Sequence, residues 1–321
     1  MQRVVVLGTG GTIAGVADDP GRQWAYKAAQ RSVGQLVDAV PDLADVPLEV
    51  EQVAQVDSKD MGWAVWRALG EALARHLARD DVAGVVITHG TDTLEETAWL
   101  LHALHDGCKP VVLTAAMRPA TAPDADGPGN LRDAVRLVQA AAAQGLGGVV
   151  AVLHGRAWSA AYVRKAHSWA LDAFDGGGMP PLAQVQADGL WQLDGTPWPV
   201  SGSGVWAVLA QPAPRVEIVF SHADADGWVV DALLAHAATM RAPLAGLVVA
   251  GTGHGTVHAG LTEALLRADN AGVVVWRSTR VARGGVLHRE GDRWEAVPEL
   301  TPAQARVALV LSLMGLPLRT L

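Results

Sequence analysis

Short apolar runs rich in β-branched residues alternate along this chain with longer segments whose apolar residues recur every three or four positions. The short runs end in Gly, Thr or Ser, and their composition is typical of strands buried on both faces of a parallel sheet. The longer segments, such as MGWAVWRALGEALARHLA and GNLRDAVRLVQAAAA, have the spacing of amphipathic helices. Because parallel strands need helical crossovers, this alternation predicts a doubly wound α/β fold.

The predicted strands fall into two groups. The first group is predicted as buried parallel strands at Val4–Leu7, Leu48–Val53, Gly84–Thr88, Pro110–Thr114 and Gly148–Leu153. The second group follows at Val216–Phe220, Leu244–Ala250 and Gly272–Arg277. Between them lies a stretch rich in Gly, Pro and Ser, which favours a hairpin and a linker. We therefore predict a larger N-terminal domain with a mostly parallel sheet over 1–185, a linker over 186–204 and a smaller C-terminal α/β domain over 205–321.

Composition favours a protein that acts on a small molecule. The 321 residues include 25 Lys and Arg against 33 Asp and Glu, and no basic run is present that could follow a nucleic-acid backbone. We expect no membrane span and no signal peptide, because no apolar run has the required length or pattern. Cys108 is the only cysteine, so we expect a cytoplasmic location and a small, buried, unreactive thiol.

The first predicted strand leads into the loop GTGGTI, in which Gly8 and Gly10 have the spacing that begins a dinucleotide-binding motif. Ile13 occupies the third glycine position, and no acidic residue follows at the distance of a ribose contact. A nucleotide-binding oxidoreductase is therefore the less favoured alternative. Thr12 lies at the carboxyl end of the strand, where open α/β sheets bind ligands. By itself, however, this position favours a turn or cap residue.

A second strand end carries a similar arrangement in GVVITHGTDTLEET, residues 84–97. Thr91 and Asp92 follow the strand and precede a helix, where Asp92 is also suited to be the N-cap. Because carboxyl ends of neighbouring parallel strands meet at one sheet edge, the hydroxyl groups of Thr12 and Thr91 are predicted to face one cleft. The segment AGVADDPGRQWAYKAAQ after Thr12 lacks strand or helix periodicity and contains Tyr26, which is typical of a mobile lid.

Together, TGGTIAG at residues 9–15 and GVVITHGTDTLEET resemble the motifs of the bacterial-type L-asparaginases, the asparaginase/glutaminase amidohydrolase family. The segments VDSKDM, KPVVLTAAMRP, DGPGNLRDAV and GTGHG agree, so that the resemblance covers nearly the whole chain. It implies hydrolysis of a linear amide, the side-chain amide of L-asparagine, with some activity on L-glutamine. It also implies a threonine nucleophile, no cofactor, and a homotetramer built from dimers with sites at the subunit interface.

The resemblance assigns catalytic roles to five residues. Thr12 matches the nucleophile of the family, and Tyr26 matches the lid tyrosine that hydrogen-bonds to it. Thr91 and Asp92 match a second catalytic group, which Lys165 in YVRKAHS completes. A threonine hydroxyl is a weak nucleophile that needs a base or a hydrogen-bond network to take its proton. A lysine beside a threonine in a buried setting is one candidate for that base.

The resemblance also implies substrate contacts. Ser58 matches a serine that binds the α-carboxylate of the substrate, and Asp92 is expected to bind its α-ammonium group. Lys59 stands beside this site where many relatives have Gln, and the backbone at Ala116 lies where the family contacts the leaving amide. Glu290 is the candidate for a glutamate that a neighbouring subunit contributes.

Departures from the family pattern leave the substrate preference open. His254 stands where many relatives have Asn, and together with Lys59 it is expected to alter which amino acid binds best. The alternatives are a glutaminase-preferring amidohydrolase and a catalytically silent amino-acid-binding protein of the same fold. A subunit of a transfer-RNA amidotransferase is less favoured, because those relatives carry an added N-terminal domain.

Metal binding is not predicted. HGTVH lacks the glutamate of a zinc-protease motif, and HADADGW lacks the final glutamate of a calcium loop. His102 and His105 lie in a segment with helical spacing, and we expect them on its exposed face.

Overall fold

The structure is a computed structural model that describes residues 2–19, 25–193, 195–202, 204–240 and 243–317. The chain divides into two compact units, Met1–Ala210 and Gln211–Leu321. Each unit has its own sheet with helices packed on it, which confirms the predicted α/β class with a larger and a smaller sheet.

The strands described in the first unit are β1 (Arg3–Gly10), β2 (Val16–Ala17), β3 (Tyr26–Lys27), β4 (Leu48–Val56), β5 (Val82–Thr88), β6 (Pro110–Thr114), β7 (Gly148–Leu153), β8 (Arg156–Ser159), β9 (Arg164–Lys165), β10 (Phe174–Asp175), β11 (Ala183–Val185) and β12 (Trp191–Gln192). Its helices are α1 (Val33–Asp38), α2 (Trp63–Leu77), α3 (Leu94–Leu104) and α4 (Gly127–Ala143). The main sheet has the order β12-β11-β8-β7-β6-β5-β1-β4. Strands β4, β1, β5, β6 and β7 are parallel, and the other three pair antiparallel.

The central strands of this sheet are buried on both faces, as their composition predicts. Successive residues of a strand point to opposite faces. Val5 and Leu7 of β1 therefore pack in one core with α2 and α3, while Val4 and Val6 pack in a second core with α1 and α4. The predicted buried strand at Leu48–Val53 was wrong in this respect. β4 is the edge strand, and its residues are only partly buried or exposed.

Residues 186–204, predicted as a linker, belong to the first unit in the structure. β12 pairs antiparallel with β11, which precedes this segment, and Trp191 Nε1 donates to the backbone oxygen of Asp133 at 2.8 Å. Trp198 is 4% exposed and lies in the core that contains α4. The large apolar area of these indole groups favours packing on the sheet domain over an extended linker.

The segment predicted as a lid contains secondary structure that its sequence does not indicate. Val16 and Ala17 of β2 pair antiparallel with Lys27 and Tyr26 of β3. Residues 20–24 lie outside the described part of the chain, so the lid itself stays a prediction.

The structure corrects three predictions at helix α3, which is buried over most of its length, and at the turn that follows it. His102 and His105 are each 1% exposed, not surface residues. The chain around residues 201–202 covers this end of the helix, and Ser201 Oγ donates to the backbone oxygen of His102 at 3.2 Å. Cys108, in contrast, is exposed rather than buried, because it lies in the turn that follows the helix.

The second unit contains β13 (Arg215–Phe220), β14 (Leu244–Gly251), β15 (Val274–Thr279) and β16 (Glu295–Ala296) in one parallel sheet of that order. Its helices are α5 (Trp228–Ala237), α6 (Ala259–Asn270) and α7 (Pro302–Leu313). Across both units, no helix among the described residues has the length and apolar character that crossing a membrane requires.

Candidate active site

Thr12 follows β1 in a loop whose backbone requires glycine. Gly10 and Gly11 have φ angles of 107° and 82°, which residues with a Cβ atom rarely adopt. A Cβ atom on Gly11 would lie 2.4 Å from both the Cα and the N atom of Gly90. The loops after the neighbouring strands β1 and β5 are therefore in direct backbone contact. This contact brings the loops that carry Thr12 and Thr91 together at the carboxyl edge of the sheet.

The Thr12 side chain pairs with the predicted lid tyrosine. Thr12 is 8% exposed, and its Oγ1 atom lies 2.7 Å from Tyr26 Oη. Burial raises the pKa of Tyr26 above its ordinary value, the hydrogen bond with Thr12 opposes this, and the carboxylates of Asp57 and Asp92 raise it further. Tyr26 is therefore a neutral phenol near pH 7. It can donate a proton to Thr12 or accept one from it.

Thr91 belongs to a second polar group. Lys165 Nζ donates to Thr91 Oγ1 at 2.9 Å and to Asp92 Oδ1 at 2.7 Å. β9 positions Lys165, whose backbone N–H donates to Glu95 Oε2 at 2.9 Å. The side chains of Lys165 and Asp92 are 20% and 53% exposed, so this group is open to solvent on the Asp92 side. Thr93, not Asp92, is the N-cap of α3, which leaves the Asp92 carboxylate to pair with Lys165.

Ser58 lies against the same turn. It is 2% exposed, and its Oγ atom accepts a hydrogen bond from the Asp92 N–H at 3.2 Å. Its backbone oxygen accepts from Thr93 Oγ1 at 2.8 Å. A Cβ atom on Gly90 would lie 2.4 Å from Ser58 Oγ, so this contact also depends on glycine. The structure thus brings together Ser58 and the Thr91 turn.

Lys59 makes local ion pairs. Its Nζ atom lies 2.5 Å from Asp57 Oδ2 and 3.3 Å from Asp60 Oδ2, and its side chain is 62% exposed. Hydrogen bonding to Asp57 and Asp60 raises the pKa of Lys59. Its positive charge is therefore balanced by two neighbouring carboxylates, and its predicted effect on the substrate stays a prediction.

Ala116 is fully buried and lies close to the Thr12 loop. A Cβ atom on Gly127 would lie 2.8 Å from Ile13 Cγ1 and 3.4 Å from Ala116 Cβ, so glycine lets these two residues approach each other. The carboxylate of Asp126 accepts hydrogen bonds from the N–H groups of Met117 at 3.0 Å and Arg118 at 2.9 Å. Asp126 thereby fixes the turn after Ala116, a role that the sequence signalled only through its position before a helix and at the start of the motif DGPGNLRDAV.

Glu290 and His254 lie in the second unit. Glu290 is exposed, and its role in a neighbouring subunit's site stays a prediction. His254 Nε2 lies 2.7 Å from Arg289 Nη2, so the residue that departs from the family pattern interacts with an arginine of its own unit.

His89 is a buried residue that no sequence pattern singles out. Its Nδ1 atom lies 2.7 Å from the backbone oxygen of Gly90, and its Nε2 atom lies 3.0 Å from Thr97 Oγ1. Trp66 Nε1 donates to the same hydroxyl at 2.9 Å. Burial lowers the pKa of His89 to about 4, so the ring is neutral at pH 7. The consistent arrangement has Thr97 donating to Nε2 and Nδ1–H donating to Gly90, which holds the backbone just before Thr91.

Comparisons with known proteins identify the family of this chain. The family model described as "Asparaginase, N-terminal" matches residues 3–196, and that described as "Glutaminase/Asparaginase C-terminal domain" matches residues 215–315. "L-asparaginase 2" of Bacillus subtilis is 34% identical, with 98% of this chain and 83% of that protein covered. "Glutaminase-asparaginase" of Pseudomonas fluorescens biotype A is 31% identical, with 98% and 86% covered.

A solved structure described as a probable cytoplasmic L-asparaginase from Campylobacter jejuni has a TM-score of 0.88 and 35% identity, with 98% of this chain and 95% of that chain covered. The shared fold and the matched families define an amidohydrolase of the α/β class. This chain belongs to the asparaginase family, as its sequence motifs predict.

Proposed function

We propose that this protein hydrolyses the side-chain amide of L-asparagine to L-aspartate and ammonia through a threonine nucleophile, with some activity on L-glutamine. The main support is the contact between the Gly11 and Gly90 backbones, which unites a Thr12–Tyr26 pair with a Thr91–Lys165–Asp92 group. The names of the relatives, L-asparaginase and glutaminase-asparaginase, support the same substrate class.

In the proposed first step, Thr12 Oγ1 attacks the amide carbon of the substrate. A C–O bond forms, the amide C–N bond breaks, and ammonia leaves. The hydroxyl proton of Thr12 passes through the Tyr26 phenol to the leaving nitrogen, because these two oxygen atoms are 2.7 Å apart. Water then attacks the resulting ester, its proton returns to Thr12 Oγ1, and L-aspartate is released. Each bond broken is thereby matched by one formed, and the enzyme returns to its starting state.

Thr91 is suited to polarise the reacting groups. Since Lys165 Nζ donates to Thr91 Oγ1, the hydroxyl proton of Thr91 points away from the lysine and can be donated to substrate or water. The partly exposed Asp92 carboxylate is suited to receive the α-ammonium group of an amino acid. Ser58 Oγ already accepts a hydrogen bond from the backbone N–H of Asp92. The hydroxyl proton of Ser58 is therefore available for an α-carboxylate.

Ammonia release from L-asparagine, L-glutamine and D-asparagine tests this function. We expect release from L-asparagine by the wild type and loss of at least 100-fold in kcat for Thr12→Ala and for Thr91→Val. Thr239→Ala, at an exposed position in the second unit, is the matched control and should retain full activity. If folded wild type releases no ammonia but binds L-asparagine, the silent binding protein replaces the enzyme. If Thr12→Ala retains activity, the nucleophile is misassigned.

A glutaminase-preferring enzyme is the second candidate, since relatives named glutaminase-asparaginase match over nearly the whole chain. The ratio of kcat/KM values for the two amino acids decides between them. A higher kcat/KM for L-glutamine than for L-asparagine would reverse the assignment.

We further propose that the protein forms a homotetramer built from two dimers in the cytoplasm, in which Glu290 completes the site of a neighbouring copy. Light scattering after size-exclusion chromatography measures the assembly. Glu290→Gln should raise KM for L-asparagine without changing the assembly. A fully active monomer would contradict this proposal.

A further inference from the structure

Three side chains that can bind a metal lie together just after the C-terminal end of α3, outside the candidate active site. They are His105, Asp106 and Cys108, here called the His-Asp-Cys cluster. One ligand atom from each residue lies within 4.8 Å of the other two. Among the described residues, this is the group of three or more His, Cys, Asp or Glu side chains whose ligand atoms all lie this close together.

The histidine of the cluster is buried and has an unused ring nitrogen. His105 is 1% exposed, and its Nε2 atom lies 2.7 Å from the backbone oxygen of Lys109, so Nε2 carries the proton and donates it. Nδ1 is then an acceptor, and it has no hydrogen-bond partner among the described residues. It lies 3.6 Å from Asp106 Oδ1. A buried acceptor that faces a carboxylate instead of a donor is unfavourable, and a cation between them would remove this cost.

The surroundings orient the same nitrogen for metal binding. Histidines that bind metals usually donate their other ring N–H to a carboxylate or a backbone oxygen, as His105 does to Lys109. The turn that carries the other two ligands is tightly held. Gly107 has a φ angle of 77°, and a Cβ atom there would lie 2.6 Å from Val200 Cγ2. The Cys108 N–H also donates to Asp106 Oδ1 at 3.1 Å.

We propose that His105 Nδ1, the Asp106 carboxylate and the Cys108 thiolate bind a Zn²⁺ ion. Imidazole nitrogen and thiolate sulfur suit Zn²⁺, whereas Mg²⁺ and Ca²⁺ prefer ligand sets made of oxygen. The ion replaces the thiol proton, which is released to solvent, and the two anionic ligands balance its charge. Because Cys108 and Asp106 are exposed, water can occupy the fourth tetrahedral position.

This ion is structural rather than catalytic. Thr91 and Asp92 precede the N-terminal end of α3, and the 11 residues of that helix separate them from the cluster by about 16 Å. The ion would connect the end of α3 to the turn that leads into β6. We therefore expect Zn²⁺ to stabilise the first unit and to leave ammonia release unchanged.

Cobalt binding to the full-length, chelator-treated protein tests the proposal. Co²⁺ is the probe, since a thiolate ligand gives it a charge-transfer absorption band. We expect one Co²⁺ per chain with this band, and its displacement by Zn²⁺. Loss of an outer-shell partner of a metal ligand lowers metal affinity by about 10- to 100-fold, so loss of a ligand itself, in Cys108→Ser or Asp106→Asn, should lower Zn²⁺ affinity by at least about 10-fold. Cys108→Ser should also remove the band. Both residues are exposed, so these variants should fold normally.

His222→Gln is the matched control, because His222 is an exposed histidine with Asp224 and Asp226 nearby in sequence. It should leave both the absorption band and the affinity unchanged. Zn²⁺ should raise the melting temperature of the wild type and of this control, but not that of Cys108→Ser. A missing charge-transfer band would overturn the proposal. An affinity that Cys108→Ser and Asp106→Asn leave unchanged would overturn it as well, because the ion would then be bound elsewhere.

Discussion

The substitution Gly11→Ala tests whether contact between two loops holds the active site together. The added Cβ atom would lie 2.4 Å from the Cα and N atoms of Gly90 and 2.8 Å from the carbonyl carbon of His89. Ordinary contact begins at 3.4 Å. All of these neighbours are backbone atoms, so no side chain can rotate away. The loops that carry Thr12 and Thr91 must therefore separate by about 1 Å, the difference between 3.4 and 2.4 Å.

Two energetic consequences follow from this separation. Misplacing reacting groups by about 1 Å lowers the rate of a reaction by about 100-fold, so we expect kcat/KM for L-asparagine to fall by that factor. The φ angle of 82° and ψ angle of −171° at Gly11 lie in a region that is essentially restricted to glycine, so alanine there lowers the free energy of unfolding by roughly 1–3 kcal/mol. The expected variant is thus folded, moderately destabilised and nearly inactive.

Ammonia release measures kcat/KM, and urea unfolding measures the loss of stability. Gly129→Ala is the matched control, since it lies in α4 and no atom lies within 4 Å of its added Cβ. The control should keep full activity, and its free energy of unfolding should rise by up to about 1 kcal/mol, because alanine favours helices more than glycine does. If Gly11→Ala keeps kcat/KM within about threefold of the wild type, the contact does not set the geometry of the site, and the argument from misplaced reacting groups fails.

Three further predictions concern single side chains and pH. Tyr26→Phe keeps the ring but removes the hydroxyl that contacts Thr12, so kcat should fall by about 100-fold or more; an unchanged kcat would exclude Tyr26 from the proton path. Lys165→Met should lower kcat by a similar factor of about 100, while urea unfolding shows a folded protein; unchanged kcat would remove the lysine from the mechanism. Burial lowers the pKa of His89 and His102 to about 4 from 6.5, so the unfolded state binds more protons between these values. The contribution of these histidines to the free energy of unfolding is therefore fully present above pH 6.5 and is lost as the pH falls towards 4. The loss is about 2 kcal/mol per histidine between pH 7 and pH 5. Equal unfolding free energies at the two pH values would contradict this.

Much of the fold and part of the candidate site could be predicted from sequence, since the signals are local. Apolar runs such as Pro110–Thr114 and Gly148–Leu153 become the strands β6 and β7 with the predicted bounds. Thr12 and Thr91 follow their strands directly, and parallel strands place such residues at one edge. The pairing of Lys165 with Thr91, 74 positions apart, was accessible only through the resemblance to a known family.

Burial set by distant parts of the chain could not be predicted in this way. Helical spacing places His102 and His105 on one helix, but segments far along the chain pack against this end of the helix: Ser201 contacts the backbone of His102, and the Trp206 ring lies 6.1 Å from that of His105. The burial of His89 and its link to Gly90 depend on Trp66 and Thr97, which approach it from other elements. Such contacts have no period or motif, because they depend on which elements become neighbours.

The sequence by itself thus determined the strand and helix alternation, the two threonine motifs and the family. Only the tertiary structure decided that Gly11 and Gly90 touch, that β4 forms an edge, and that ligand atoms of His105, Asp106 and Cys108 lie within 4.8 Å of one another. The physical reason is that secondary structure follows from local backbone preference and periodic burial. Contacts between side chains far apart in the chain exist only after the sheet has fixed the order of its strands.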